Sequence, residues 1–343
     1  MTHAPRTLAG ACPSPPLPMT DLAIDVRHVV KRYAEHTAVR ELSLAVPRGT
    51  VYGLLGPNGA GKTTTIRMLL NIIAPDDGII TLFGRPNADP GVLDAVGYLP
   101  EERGLYKKMQ VRRVLRFLAA LKGVRAADAD RRIDAWMERL SLITPEKDWG
   151  EAKVDELSRG MQQKVQFIAT LLHDPRLVIL DEPFSGLDPV NAQALKDTVL
   201  ELRRLGRTVI FSTHLMDNAE RMCDAVCIIA RGEKVVDGPV ATVKAAHGNR
   251  NVALGLDRAA MNGGAAAVDL VLADPRLVAR SDDQNRLVEI SLAPGADPQE
   301  LLRRLVAAGA PITRFELVQP SLHQIFLERV GAVGVEAGMS GQG

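Results

Sequence analysis

Aromatic side chains are scarce in this sequence, at 4% of its residues, and cysteines number three. So few rings weigh against a stacking platform for single-stranded nucleic acid. Cys12, Cys223 and Cys227 are too few, and odd in number, for a disulfide framework, which fits a reducing compartment. Cys223 and Cys227 look like half of a metal site. No second Cys/His pair at zinc spacing follows, so both read as small buried hydrophobes. An excess of one charge is also missing. The formal net charge is +1, so no bulk pull toward DNA or anionic lipid is implied. No uninterrupted apolar stretch reaches the run of about 18 residues that a membrane span requires. Residues 1–20 lack the long apolar run of a secretory signal, and Pro13, Pro15, Pro16 and Pro18 crowd their end. That stretch is expected to be a disordered extension, and the same absence weighs against Cys12 as a lipid anchor. The expected location is cytoplasmic unless a partner holds the chain at a membrane.

What is present is ordinary globular material. Of 343 residues, 46% are hydrophobic, enough for a sizeable core and about two domains. Short runs of strand character lie at 22–26, 42–46, 51–55 and 79–83, and again at 177–180, 208–212 and 225–229. A hairpin is expected to turn at Arg231-Gly232-Glu233 into 234–236. Segments 111–122 and 131–142 carry apolar residues at helical spacing. Arginines between them offer either a nucleic-acid face or a solvated face, and the interspersed acids favour the second. Alternating strands and helices predict a largely parallel sheet with helices on its faces. After about residue 245 a small α+β pattern follows: strand 286–292, helix 298–308, strand 312–317 and helix 321–330. No internal repeat is visible.

Gly56-Pro57-Asn58-Gly59-Ala60-Gly61-Lys62-Thr63 fits G-x-x-x-x-G-K-S/T at every fixed position. An apolar run feeds it, and a helical stretch over 63–72 leaves it. Glycines let backbone N–H groups turn inward around phosphate oxygens, and the helix start adds its unpaired N–H groups and positive dipole end. Lys62 is expected to reach the β- and γ-phosphates of ATP, and the Thr63 hydroxyl to ligand Mg²⁺. Thr64 continues the same turn of helix.

The buried run 177–180 ends in Asp181-Glu182-Pro183. Two acids at the end of an apolar strand are costly unless they are solvated or have work to do. A helix cap or turn acid would read the same way alone. Beside a phosphate cradle, Asp181 is expected to hold Mg²⁺ and Glu182 to act as general base on the attacking water. Leu157-Ser158-Arg159-Gly160-Met161-Gln162-Gln163 then opens the helical run 164–172 and offers a second anion site at a helix start. One chain needs only one phosphate site for one ATP, whereas two chains facing head to tail would each complete the other's.

That last segment resembles the LSGGQ motif of ATP-binding-cassette (ABC) proteins, and the resemblance extends over about 21–245. It implies that Ser158, Arg159, Gly160, Met161 and Gln162 contact the partner's ATP. Tyr33 resembles the aromatic that stacks on adenine, although an ordinary strand tyrosine looks the same. Asp188 in Ser185-Gly186-Leu187-Asp188 resembles the dimer-contacting acid, and His214 resembles the histidine that contacts the γ-phosphate. Two positions depart from the family pattern. Glu101 stands where Gln is usual, and a carboxylate there can still ligand Mg²⁺. Arg159 stands where Gly is commoner.

The run Tyr98-Leu99-Pro100-Glu101-Glu102-Arg103-Gly104-Leu105-Tyr106 is similar to that of bacterial subunits of sodium-efflux and other ABC-2-type exporters. Gln319-Pro320-Ser321-Leu322-His323-Gln324-Ile325-Phe326 resembles that subgroup's small terminal domain. The implied fold is α/β: a P-loop NTPase core of ABC-ATPase type with an antiparallel β-subdomain and a helical subdomain over about 97–174, plus a small α+β C-terminal domain. The expected plan is an extension over 1–20, the ATPase domain over 21–245, the accessory domain over 246–332 and a flexible tail over 333–343. The implied function is Mg-ATP hydrolysis in a homo- or heterodimer that drives a separate membrane permease for export, with no direct nucleic-acid contact. A soluble ABC ATPase acting on ribosomes or nucleic acid is the alternative. A scaffold subunit with a degenerate site is a third reading, against which the intact Lys62, Asp181, Glu182 and His214 argue.

Overall fold

The computed structural model describes residues 21–34, 36–102, 104–246, 251–257, 265–284 and 287–339. The extension expected over 1–20, with Cys12, lies outside them. The chain opens with β1 (Leu22–Tyr33), β2 (His36–Pro47), β3 (Val51–Leu55), α1 (Lys62–Leu69), β4 (Asp77–Leu82), β5 (Arg85–Pro86) and β6 (Val96–Leu99). Three helices follow: α2 (Val111–Leu121), α3 (Ala126–Arg139) and α4 (Arg159–Leu171). Next come β7 (Leu177–Asp181), α5 (Pro189–Arg204), β8 (Thr208–Thr213), α6 (Met216–Met222), β9 (Ala225–Ala230), β10 (Glu233–Pro239) and α7 (Val240–Ala246). The last region holds β11 (Asn251–Leu256), α8 (Ala265–Leu272), β12 (Val278–Gln284), β13 (Leu287–Leu292), α9 (Pro298–Ala307), β14 (Ile312–Val318) and α10 (Leu322–Met339).

The central sheet has the order β10-β9-β3-β8-β7-β6. All its pairs are parallel except the β9–β10 hairpin. Its inner strands are buried on both faces, as parallel sheets require. Side chains alternate across a strand, and here the alternation divides two cores. Val51, Leu55, Val178, Leu180, Val209 and Phe211 face helices α2 to α5. Tyr52, Leu54, Ile179, Ile210, Cys227 and Ile229 face α1 and a second, antiparallel sheet of order β2-β1-β4-β5. Cys227 is wholly buried, and burial pushes its thiol well up, so it packs as an apolar side chain.

β1 and β2 run 12 residues each, longer than the short runs expected from the sequence. Register shifts between Val26 and Val29, with His28 at φ 48, interrupt the two-residue alternation and hide the continuation. The expected hairpin is present: Arg231 at φ 52 and Gly232 at φ 82 link β9 to β10. α3 starts at Ala126, not at 131, because Arg125 pairs with Asp128 across an otherwise alanine-rich first turn. It stops before Ser141, whose φ of 57 breaks the ladder. β6, where the helical subdomain was expected to begin, is a short edge strand, and Gly97 within it lies so close to α4 that a Cβ would meet the Thr170 carbonyl at 2.4 Å.

The third sheet, β12-β13-β11-β14, is antiparallel throughout. One face carries Val252, Leu254, Val288 and Ile290 against Val268 of α8 and Leu301 and Leu305 of α9. Strands β11 and β12 and helix α8 were not anticipated: Ala and Gly blur the period in β11 and α8, and β12 is mostly polar, with no apolar alternation to mark it. Helix α10 runs to Met339, into the stretch expected as a tail over 333–343, with no proline over 322–339 to break its hydrogen-bond ladder. Leu322 and Ile325 in its first turn join the core formed by α2 to α6. Among the described residues, no helix is long and apolar enough to cross a membrane.

Tyr52 ties two strands of the central sheet together: its buried hydroxyl donates to Asp237 Oδ1 of β10 at 2.7 Å. Tyr52→Phe is expected to cost about 1.5 kcal/mol, the worth of one hydrogen bond to a charged group. Urea titration should show a lower midpoint with an unchanged slope.

Candidate active site

β3 ends at Leu55, and the turn 56–61 carries the chain into α1. Two of its glycines are required by contact. A Cβ on Gly56 (φ 152) would sit 2.2 Å from the Ile229 carbonyl oxygen, and one on Gly61 (φ 106) 2.5 Å from that of Ala38. Gly59 faces open space. The buried Lys62 folds back over this turn, donating to the carbonyls of Gly56 at 2.8 Å and Pro57 at 3.1 Å. Its ammonium is also 3.5 Å from Glu182 Oε1.

A cleft of about 580 Å³ opens over the turn. It brings together Tyr33, residues 58–64, Glu101 and Glu182, all singled out from the sequence. Tyr33 is 45% exposed at its rim, stacked on His36 with ring centroids 5.8 Å apart. An exposed ring with one face already packed suits the sandwiching of a flat base. Arg67 and His36 also line the cleft and were not anticipated.

The acids sit behind the phosphate turn because β7 pairs with β8 in a register that sets Asp181 opposite Ser212. Asp181 is 1% exposed. Its Oδ1 accepts from Ser212 Oγ at 2.5 Å and from Thr63 Oγ1 at 3.4 Å. Its Oδ2 is buried and has no hydrogen-bond partner among the described residues. A buried orphan carboxylate oxygen beside a threonine hydroxyl is the donor set a hard divalent cation takes, so the residues present fit Mg²⁺. Tyr98 lies nearby, its hydroxyl pushed up to about 12 by burial and then by the charge of Asp181.

Glu182 adopts φ 47, a left-handed conformation that costs a non-glycine residue about 1–2 kcal/mol. Its N–H donates to Ser212 Oγ at 2.9 Å, which holds the turn. Its Oε1 is 3.0 Å from His214 Nδ1. The buried carboxylate is thus gripped by a lysine and a histidine at the back of the cleft. Ser212 organises both acids and escaped the sequence reading. The available signal was a polar residue at the end of an otherwise apolar strand.

Residues 158–162 are not among those lining this cleft. Ser158 caps α4, accepting from Met161 N at 3.3 Å, and Arg159 is exposed beside it. The Gln162 amide is committed inward, donating to the Val154 and Leu157 carbonyls at 3.1 and 3.0 Å. Gly160 is required by close packing, since a Cβ would meet Asn191 Nδ2 at 2.7 Å. That amide donates to Asp188 Oδ2 at 2.5 Å, and the Val190 and Asn191 N–H groups donate to Asp188 Oδ1. The backbone and side chain of Asn191 hold the Asp188 carboxyl below the usual range.

A glycine-lined turn opening a helix, with paired acids at the end of a parallel strand one place beyond the neighbouring β8, defines the nucleotide site of a P-loop NTPase. Residues 39–185 match the family described as ABC transporter, and 238–330 match that described as ATP-binding protein DrrA1-3-like, C-terminal domain. The uncharacterized ABC transporter ATP-binding protein YhaQ of Bacillus subtilis (strain 168) is 41% identical over 311 residues, spanning 90% of this chain and 99% of that one. Nod factor export ATP-binding protein I of Cupriavidus pinatubonensis is 36% identical over 238 residues, 68% of this chain and 72% of that one. Among solved structures, an ATP binding subunit of an ABC transporter is 30% identical with a TM-score of 0.60, covering 65% of this chain and 92% of that one. The chain belongs to the ABC transporter ATP-binding protein family. The fold is that of an ATP-binding subunit of a transporter.

Ser212→Ala removes one hydroxyl that serves two acids, leaving a buried carboxylate oxygen and an N–H short of partners. The expected loss is about 2 kcal/mol of folding stability, read by denaturant titration.

Proposed function

We propose that this chain hydrolyses ATP as one subunit of a head-to-tail dimer that drives a separate permease for export. The carrying observation is Glu182, buried at the back of the phosphate cleft between Lys62 and His214 and adjacent to Asp181. ATP is held by the N–H groups of 58–64, with Tyr33 on the adenine. Lys62 exchanges its Gly56 and Pro57 carbonyls for β- and γ-phosphate oxygens. Thr63 and Asp181, with Glu101 at the mouth, would hold Mg²⁺, which when bound neutralises phosphate charge and orients the leaving group. Glu182 accepts a proton from the attacking water, and His214 fixes its carboxylate while facing the γ-phosphate. The products are ADP and phosphate.

The dimer is supported by the exposed start of α4 at Ser158 and Arg159, which its own cleft does not use, and by Asp188 set beside it. The permease is supported by a largely apolar groove of about 450 Å³ that includes Ile72, Leu93, Leu105, Leu118 and Leu121. Ile72 and Leu121 are 58% and 68% exposed, a patch that invites a partner. Pro100, Gly104 and Leu105 line this groove, and Glu101 lines the cleft. Export is favoured by the relatives named Nod factor export ATP-binding protein I. On this reading the chain sits at the cytoplasmic face of a membrane through its permease.

Glu182→Gln keeps shape and removes the base, so turnover should fall by about 10²–10⁴-fold while ATP binding persists. Normal turnover would remove Glu182 from the mechanism. Tagged Glu182→Gln protein, extracted in mild detergent with ATP, should carry a multi-span membrane protein. Recovery with ribosomes or nucleic acid alone would instead favour a soluble ABC ATPase.

A further inference from the structure

His214 and Leu215 form the short connection from β8 into α6, which starts at Met216. What holds α6 therefore holds His214. One side of α6 is apolar: Met216, Ala219 and Met222 are buried in the same core as Leu322 and Ile325 of α10. Its polar side carries Glu220, whose two oxygens are both engaged. Oε2 accepts the Leu322 N–H at 2.9 Å, and Oε1 is ion-paired with Lys244 of α7. The Leu322 N–H is one of the donors that a helix start leaves without an intrahelical partner. A side chain of the ATPase region thus caps a helix of the C-terminal region.

That helix start is in turn fastened to the third sheet. Gln324 donates from Nε2 to Glu289 Oε2 of β13 at 2.5 Å and accepts on Oε1 from Asn251 Nδ2 of β11 at 2.6 Å. The same oxygen accepts from the Ser321 N–H at 3.1 Å. An unbroken series of hydrogen bonds and packed side chains thus runs from β11 and β13 through Gln324 and Leu322 to Glu220, then along α6 to His214. Beside it lies a cleft of about 520 Å³ with His214, Arg221, Arg280, Ser291 and His323 in its walls. On that side the histidine meets open space; its own ties are Glu182 Oε1 at 3.0 Å and, one residue on, the Leu215 N–H donating to Thr213 Oγ1 at 3.0 Å, so the anchoring of α6 supplies the rest of its hold.

We propose that the C-terminal domain clamps the His214 segment in its hydrolytic position, with Glu220 as the positioning residue that joins the two. This rests on the reading of His214 as part of the hydrolytic machinery. Glu220 touches neither nucleotide nor water; it acts through α6. Loosening the clamp leaves the phosphate turn intact, so nucleotide binding is spared while turnover falls.

The test uses the full chain with Glu220→Ala, Glu220→Gln and His214→Ala in parallel. Glu220→Ala should lower kcat about tenfold with KM for ATP within about twofold, because small misplacements of a reacting group cost rate rather than binding. Glu220→Gln retains an acceptor for the Leu322 N–H and should recover most of that loss. Amide hydrogen exchange over 213–222 should accelerate in Glu220→Ala, with 56–66 unchanged, whether or not the chain is turning over. Wild-type kcat and exchange in a folded Glu220→Ala chain would overturn the clamp and leave the ATPase reading intact. Wild-type kcat in His214→Ala would overturn the histidine's role itself, and the clamp with it. If Glu220→Ala does not fold, Lys244→Met cuts the other tie. It should show the same split at about threefold, and unaltered kcat there would equally sink the proposal.

Discussion

A carboxylate buried at the end of an apolar strand has to be satisfied or the strand cannot stay where it is. Asp181 meets that constraint through Ser212 and Thr63 on one oxygen only. Much of the architecture follows from delivering those two hydroxyls. The β7–β8 register brings Ser212 alongside, and β3, on the far side of β8, feeds the turn that presents Thr63. The parallel sheet is more than a core in this respect. It is the jig that sets three strand ends level, so that the phosphate turn, Asp181 and Glu182 share one edge.

The residues proposed to handle the nucleotide were readable in the sequence because that work needs particular atoms at particular spacings. Lys62, Thr63, Asp181 and Glu182 converge from two strands, as expected of a phosphate turn and an acid pair. The alternating runs of the central strands were readable for the same reason: burial on both faces leaves an apolar record. The supports were not readable. Ser212, Asn191, Glu220 and Gln324 work through contacts between segments distant in the chain, and a serine or glutamine says nothing of its partner until the fold supplies one. The long first hairpin was foreshortened because bulges at His28 and beyond shift the alternation out of phase. The C-terminal sheet was half seen, since alanine and glycine pack there without marking a period.

The phosphate site divides labour between rigid and exchangeable contacts. Gly56 and Gly61 are locked by backbone on either side, which keeps the turn in one shape. Among the described residues, Lys62 is bound to carbonyls of its own turn and to Glu182, partners that an incoming phosphate can replace. Such a site is preformed in its backbone and adjustable in its charge. Little ordering entropy is then left for the ligand to offset.

Gly160 has a further consequence. With only a hydrogen at that position, α4 seats directly on Asn191, and Asn191 grips Asp188. The start of one helix and the cap of another are thereby welded into a single surface element. In the proposed dimer, a neighbour cannot be recognised by one of these and refused by the other. Affinity for the partner's nucleotide and affinity for the partner's protein surface would be inherited together, and drift in either would be felt by both.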